Sequence, residues 1–139
     1  MPKINLSRVI LGGLLAGIVV NISEGLLHAV VMKAQDAELM KSLGRPMPEG
    51  GGVMVVWFLW GFAWGIVAVW LYAAVRPRFG PGPGTAAKVG VAAWFFCCLL
   101  SMVAMVNMGL FPFNGLELVW TLVQDVVAVI VGAWVYKEA

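Results

Sequence analysis

The side chains with the most chemical potential in this sequence are two polar pairs that lie far apart in the chain. Glu24 and His28 stand four residues apart in the apolar stretch INLSRVILGGLLAGIVVNISEGLLHAVV, and Gln124 and Asp125 are neighbours in the apolar stretch LVWTLVQDVVAVIV. Residues four apart share one face of an α-helix. Carboxylate oxygens and an imidazole nitrogen can exchange protons, pair with a cation or coordinate a metal ion.

Polar and small residues follow the same helical stripes as these pairs. At 100° per residue, each stripe covers an arc of about 100°, and we expect both stripes to face protein rather than lipid. The first stripe contains Gly13, Gly17, Val20, Asn21, Glu24 and His28, and the second contains Glu117, Thr121, Gln124, Asp125, Ala128 and Gly132. The candidate site is therefore Asn21, Glu24, His28, Thr121, Gln124 and Asp125.

Three roles are open to this candidate site. It can be an interhelical hydrogen-bonded cluster that fixes helix register, or it can bind a proton, a cation or a polar substrate, since ionisable groups inside a membrane are usually functional. It can also offer a metal ion one nitrogen and two carboxylates. One histidine without a defined ligand spacing does not predict a metal site, and we expect neither a metal ion nor a cofactor.

The surrounding sequence predicts an all-α membrane protein. The chain has 139 residues, of which 62% are hydrophobic and 12% are charged, whereas soluble domains carry about 25% charged residues. A transmembrane helix needs about 20 apolar residues. Four such segments are present, at about 6–31, 53–75, 86–110 and 116–136, so we predict one domain, 1–139, that forms a small four-helix bundle.

The connections and their charges predict a topology. The segment KAQDAELMKSLG after the first span predicts a short interfacial helix, and RPRFGPGPGT predicts a basic turn after the second. The positive-inside rule favours cytoplasmic N- and C-termini. On that side lie Lys3, Arg8, Arg76, Arg78, Lys88 and Lys137, against Lys33, Lys41 and Arg45 on the other.

Small residues predict how the helices pack. The spacings Gly13-x-x-x-Gly17 and Gly61-x-x-x-Gly65, together with Ala128 and Gly132, allow close approach of helix backbones within one subunit or in a dimer. We also expect the stripes of the second and third spans, which include Met54, Trp57 and Ser101, to face protein. The inner halves of the four spans are expected to show ordinary apolar packing.

The cysteines and the charge balance limit the kinds of partner that we expect. Cys97 and Cys98 are adjacent within an apolar run, which excludes a disulfide framework and indicates packing. The nine Lys and Arg residues are nearly balanced by seven Asp and Glu residues, so a nucleic-acid partner is not expected. The expected partners are the lipid bilayer and either further copies of the chain or a larger membrane complex.

The stretch INLSRVILGGLLAGIVVNISEGLLHAVV, followed by an amphipathic segment and LGRP, resembles the N-terminal part of a group of small uncharacterised bacterial four-helix membrane proteins. The resemblance covers about a third of the chain. It implies a bacterial inner-membrane location and carries no activity. Four helices and a glutamate in the first span are also similar to small multidrug resistance transporters, but here the glutamate lies further out and an extended loop follows it.

Three functions follow as hypotheses. Small-residue stripes without a motif for any reaction favour a non-enzymatic accessory, scaffold or self-associating subunit of a membrane complex. The alternative is a small proton- or cation-coupled transporter in which Glu24 and Asp125 are the coupling carboxylates and His28 is their partner. A third hypothesis, a membrane redox protein that binds haem or quinone, depends on His28 and the aromatic residues alone.

Overall fold

The computed structural model describes residues 3–138, so the predicted domain 1–139 includes three positions, 1, 2 and 139, that lie outside the described residues. The chain is 82% helical, and residues 3–138 contain no strand. Four helices are long and apolar enough to cross a membrane, as predicted. The helices are α1 (Leu6–Val31), α2 (Lys33–Ser42), α3 (Gly51–Phe79), α4 (Pro83–Asn107) and α5 (Gly115–Val135).

Asparagine side chains start the first and last helices. The Asn5 side chain accepts a hydrogen bond from the Arg8 backbone N–H at 3.2 Å, and the Asn114 side chain accepts one from the Glu117 backbone N–H at 3.2 Å. Such N-caps satisfy backbone donors that have no partner inside the helix. The local sequence therefore defines where α1 and α5 begin.

The turn predicted after the second span is much shorter in the structure. Helix α3 continues past Val75 and through Pro77 to Phe79, so most of the basic segment RPRF is helical. The helix ends at Gly80, whose φ of +83° suits glycine. Helix α4 then begins at Pro83, before the predicted position 86, because proline fits the first turn of a helix.

Helix α4 also ends earlier than predicted. Its last residue is Asn107 rather than Leu110, and the chain turns at Gly109, which has a φ of +69°. The short helix α2 lies within the segment that the sequence marks as amphipathic, and it stops before Gly44, which has a φ of +65°. Glycines in the left-handed region thus terminate three of the five helices.

The four long helices pack as a bundle in which α1 contacts α3 and α5, while α4 contacts α5 and, less extensively, α3. Glycines form the α1–α3 contact. A Cβ atom on Gly65 would clash with the carbonyl oxygen of Gly13 and the nitrogen of Gly17, and a Cβ on Gly17 would come within 2.8 Å of Phe62 Cα. A Cβ on Gly61 would meet the side chain of Asn21.

The contacts of α5 with its neighbours also use small residues. A Cβ on Gly132 would come within 2.7 Å of the Gly12 carbonyl oxygen, and Ala128 is fully buried. A Cβ on Gly90 of α4 would come within 2.7 Å of Val126 Cα. All six residues proposed from sequence for helix packing are buried between helices of this one chain.

The two ends of the bundle differ. We call the end that contains Asn5, Gly82 and Tyr136 the terminal end, and the opposite end, which contains α2 and the α4–α5 connection, the distal end. The terminal end is held by aromatic hydroxyls: Tyr72 accepts a hydrogen bond from the Gly82 backbone N–H at 3.1 Å, and Tyr136 accepts one from the Asn5 backbone N–H at 3.4 Å.

An ion pair and a cation–π contact also stabilise the terminal end. Arg76 pairs with Glu138 at 3.1 Å and lies over the ring of Tyr136 at 5.6 Å from its centroid. The rings of Tyr72 and Tyr136 meet edge to face, with centroids 6.0 Å apart. Polar and aromatic groups therefore join the helix ends at the terminal end, next to a buried cluster of mostly apolar residues.

The distal end is open. No residue of α3 before Gly61 is buried, and no residue of α4 from Phe95 to Asn107 is buried. The stripe pattern predicts that Met54, Trp57 and Ser101 face protein. Met54 and Trp57 are 55% and 64% exposed, and Ser101 is exposed as well. Within residues 3–138 these stripe residues are therefore not packed against protein, although Phe58 and Cys98 on the same two segments contact Asn21 and Asp125.

Candidate functional site

The candidate site begins where α1 changes its helical geometry. Residues Leu27–Val31 form one π-helical turn at the distal end of α1. Such turns are rare and frequently accompany functional sites. Leu27 is fully buried, which anchors the turn, while His28 on the same turn has a side chain that is 44% exposed.

His28 lies between two carboxylates. Its Nε2 is 3.3 Å from Glu24 Oε2, one helical turn earlier, and its Nδ1 is 2.9 Å from Asp36 Oδ2 on α2. The pairing of Glu24 with His28 agrees with their spacing in the sequence. The contact with Asp36 joins α1 to α2 and is one that the sequence analysis missed, since nothing in it indicates how the chain turns after Val31.

Glu24 also connects α1 to α5. Gln124 donates a hydrogen bond from Nε2 to Glu24 Oε1 at 2.6 Å, a short distance typical of a bond to a charged acceptor. Asp36, His28, Glu24 and Gln124 therefore form one continuous polar network from α2 to the middle of α5. Three of these four residues were among the six candidates.

The other candidates lie apart from this network. Asn21 donates a hydrogen bond from Nδ2 to the Phe58 carbonyl oxygen of α3 at 3.2 Å. The Thr121 hydroxyl bonds to carbonyl oxygens of its own helix, at Glu117 (2.8 Å) and Leu118 (3.3 Å). Both side chains thus bond to backbone carbonyl oxygens.

Asp125 occupies the deepest position in the set. It is 2% exposed, and the thiol of Cys98 lies beside it, with Sγ 4.0 Å from Oδ2; the Gln124 side chain is a second neighbour. Cys98 belongs to a second π-helical turn, Phe95–Leu99, in α4. The sequence assigned Cys98 to packing, and its position beside Asp125 became visible only in three dimensions.

Two further side-chain hydrogen bonds join the helices that carry the polar network. Trp120 donates a hydrogen bond from its indole nitrogen to Ser23 Oγ at 2.9 Å, which joins α5 to α1. Asn114 donates from Nδ2 to Gln35 Oε1 at 3.2 Å, which joins the start of α5 to α2. These side chains fix the positions of Glu24 and Asp36 relative to α5.

The site has more acceptors than donors. Gln124 Oε1 is buried without a hydrogen-bond partner within residues 3–138. Glu117 and Asp125 add two further carboxyl groups on α5, seven and one residues from Gln124. The imidazole of His28 is the one basic side chain among these carboxylates, so the arrangement favours a positively charged or donor-rich ligand over an anion.

The donor set does not favour a metal or haem. Within residues 3–138, no three His, Cys, Asp or Glu side chains are grouped so that they could hold a metal ion. Both ring nitrogens of His28 contact carboxylates, so an axial bond to haem iron would require breaking one of those contacts. The sequence-based redox hypothesis therefore gains no support from the position of His28.

The chain matches no protein-family model, no curated protein and no solved structure. A fold alone does not define a function, and a four-helix arrangement supports many. The function is therefore argued from the geometry of the distal end.

Proposed function

We propose that this chain is a four-span protein of a bacterial inner membrane, with both termini in the cytoplasm. Four apolar helices of sufficient length support the membrane assignment. The terminal end then faces the cytoplasm, and its excess of Lys and Arg supports that orientation. The N-terminal resemblance to small bacterial four-helix membrane proteins agrees with this location.

We further propose that it acts as a non-enzymatic, self-associating subunit of a membrane assembly. The observation that carries this proposal is the open distal end, where α3 before Gly61 and α4 after Trp94 have no buried residue. The two uncovered halves are Gly51–Trp60 of α3 and Phe95–Asn107 of α4, and we call them the distal halves. A second copy of the chain is the occupant that we propose for them.

The polar network gives a physical reason for such a contact. The side chains of Glu24 and His28 are 37% and 44% exposed within a span. A charged side chain against lipid costs about 2.5–3.5 kcal/mol at the bilayer centre and less towards the end of a span, where Glu24 and His28 lie. Covering the open side with protein removes part of this cost, whereas lipid chains that enter between the distal halves would impose it.

The glycine stripes do not provide the association surface. Gly13, Gly17, Gly61 and Gly65 are already used between α1 and α3 of the same chain. The exposed aromatic side chains of α3, including Trp57 at 64% and Trp60 at 68%, lie instead on a distal half. Aromatic residues are common at the centres of protein interfaces, which supports the distal halves as the contact.

The alternative of coupled transport receives less support from this conformation. The polar network reaches Gln124 and Asp125 from the distal end, but the next buried residues of α5 towards the terminal end are Ala128, Val129 and Gly132. These pack tightly against α1 and α3. A transport cycle would need a second conformation that opens this apolar half.

Site-specific crosslinking in lipid tests the proposed association. In a background with Cys97→Ser and Cys98→Ser, we expect Leu59→Cys and Val103→Cys to give crosslinked dimers. Val67→Cys is the matched control on α3, because Val67 is 56% exposed but lies outside the distal halves. The dimer yield at Leu59 should exceed that at Val67 several-fold, because only Leu59 would lie close to its counterpart in the second copy.

Single-molecule photobleaching of the labelled protein in vesicles provides the second measurement. Two bleaching steps at moderate protein density support a dimer. Single steps at every density, together with equal crosslinking at residues 59, 67 and 103, would contradict the proposal and leave a monomer surrounded by lipid.

A further inference from the structure

A groove runs between α1 and α5 on the side of Gln124. Its volume is about 400 Å³, within the range typical of small-molecule sites. Its walls are almost entirely apolar. The lining residues are Val19, Ser23, Leu116, Val119, Trp120, Val123, Gln124 and Val127.

Gln124 belongs both to the lining of this groove and to the polar network of Asp36, His28 and Glu24. Its Nε2 donates to Glu24 Oε1 at 2.6 Å, while its Oε1 is buried and has no donor among residues 3–138. The residue is only 6% exposed. An unpaired buried acceptor costs about 1–3 kcal/mol, so a donor that reaches Oε1 from the groove would be stabilised.

Carboxyl groups lie behind Gln124. Glu24 accepts its hydrogen bond, Asp125 is the next residue along α5, and Glu117 lies two helical turns earlier on the same helix. His28 is the one basic side chain in this network. A ligand head group with a positive charge and N–H donors complements both the charge and the unpaired oxygen.

We infer that the groove binds a small amphiphilic amine, whose ammonium group donates to Gln124 Oε1 in the field of Glu24 and whose hydrocarbon chain lies between α1 and α5. The apolar walls formed by Val119, Val123 and Val127 suit an alkyl chain. A bare metal ion suits the site less well, because no three ligating side chains converge there in the described part of the chain. The inference concerns binding and does not depend on self-association.

Photolabelling with an alkyl amine tests this inference. Protein in phosphatidylcholine nanodiscs, whose head group carries no N–H donor, is irradiated with a diazirine derivative of hexylamine, and the labelled peptides are mapped by mass spectrometry. We expect label on the segments 19–23 and 116–127. Excess hexylamine should lower this labelling about tenfold, and excess hexanol should lower it less than about twofold, because hexanol lacks the charge.

Matched variants test the contribution of the Glu24 carboxylate and that of the apolar groove separately. Glu24→Gln should lower saturable labelling about tenfold, while Glu38→Gln on the exposed face of α2 should leave it unchanged. Val123→Phe should block the groove, and Val67→Phe on α3, at an exposed position outside both the groove and the distal halves, should not. Circular dichroism and the yield of folded protein confirm that each variant retains the helices.

Three results would overturn the inference. Label spread evenly over the lipid-facing residues of all four long helices would show partitioning into lipid rather than binding. Equal competition by hexanol or by sodium ions would remove the role of the ammonium group. Loss of labelling in nanodiscs that contain phosphatidylethanolamine would show that a lipid amine, rather than a free amine, occupies the groove.

Discussion

At the scale of single residues, glycine decides how closely α1 and α3 approach. Gly65 of α3 lies against the backbone of Gly13 and Gly17, so any side chain at this position would meet main-chain atoms that cannot move aside. Gly25, also on α1, has no atom within 4 Å of the place where a Cβ would lie. A substitution at Gly65 therefore tests helix packing, and a substitution at Gly25 tests helix propensity.

We expect Gly65→Ala to destabilise the fold by about 1–3 kcal/mol, the usual cost of overpacking. Gly25→Ala should be neutral or stabilise the fold by up to about 1 kcal/mol, because alanine favours the helix and meets nothing there. Unfolding of both variants by denaturing detergent in mixed micelles measures the difference. Equal stability of the two variants would argue against the close α1–α3 contact.

These glycines could be predicted from the sequence, and the connections of the polar site could be predicted only in part. The spacing of Gly13, Gly17, Gly61 and Gly65 and the i,i+4 pair Glu24–His28 are local patterns. The contacts of His28 with Asp36 and of Gln124 with Glu24 join different helices, and no local pattern specifies them. Thr121 was placed in the site by its stripe, but its hydroxyl satisfies its own helix instead.

At the scale of helices, the two π-helical turns change the direction in which later side chains point. A π turn corresponds to one extra residue in an α-helix. In α1 the turn Leu27–Val31 contains His28 and is followed directly by α2, whereas in α4 the turn Phe95–Leu99 precedes residues that are not buried. Removing one residue from each turn should therefore have different consequences.

Deleting Val30, whose side chain is 67% exposed, should rotate α2 by about 100° relative to His28 and separate His28 from Asp36. Deleting Phe96 should rotate only the uncovered end of α4. The ¹⁵N chemical shifts of the His28 imidazole provide the measurement. The spectrum of the Val30 deletion should resemble that of Asp36→Asn, and the spectrum of the Phe96 deletion should resemble that of the unaltered chain.

If the Val30 deletion left the His28 spectrum unchanged, the π turn would not orient α2. The sequence gives no sign of either π turn, since LHAVV and FFCCL are ordinary apolar segments. The four long helices, in contrast, follow from apolar length alone. Their ends differ from the predicted positions by a few residues. One helix stops at Gly80 and the next begins at Pro83, and hydropathy does not indicate either boundary.

At the scale of the whole molecule, polarity and openness coincide at the distal end. The terminal end is closed by Tyr72, Tyr136 and the Arg76–Glu138 pair, and the middle is filled by small apolar residues. The distal end holds the network around His28 beside two uncovered helix halves. The polar network therefore lies at the end of the bundle where the helices are least covered by the rest of the chain.

This asymmetry predicts how a membrane-impermeant thiol reagent reacts from the non-cytoplasmic side. In the background with Cys97→Ser and Cys98→Ser, we expect His28→Cys to react when the protein is dilute in the membrane. At high protein density its rate should fall about tenfold, since a second copy then covers the site. Ser42→Cys on α2 should react at both densities, and Val69→Cys, which replaces a fully buried residue, at neither.

The two controls separate the ways in which this prediction can fail. Reaction of Ser42→Cys only when the reagent is on the cytoplasmic side would invert the proposed orientation and leave the packing argument intact. A rate at His28→Cys that does not change with density, while Ser42→Cys reacts from the expected side, would count against self-association at the distal halves. The open end would then be covered by lipid, and the cost of the exposed Glu24–His28 pair would have to be offset by water within the bundle.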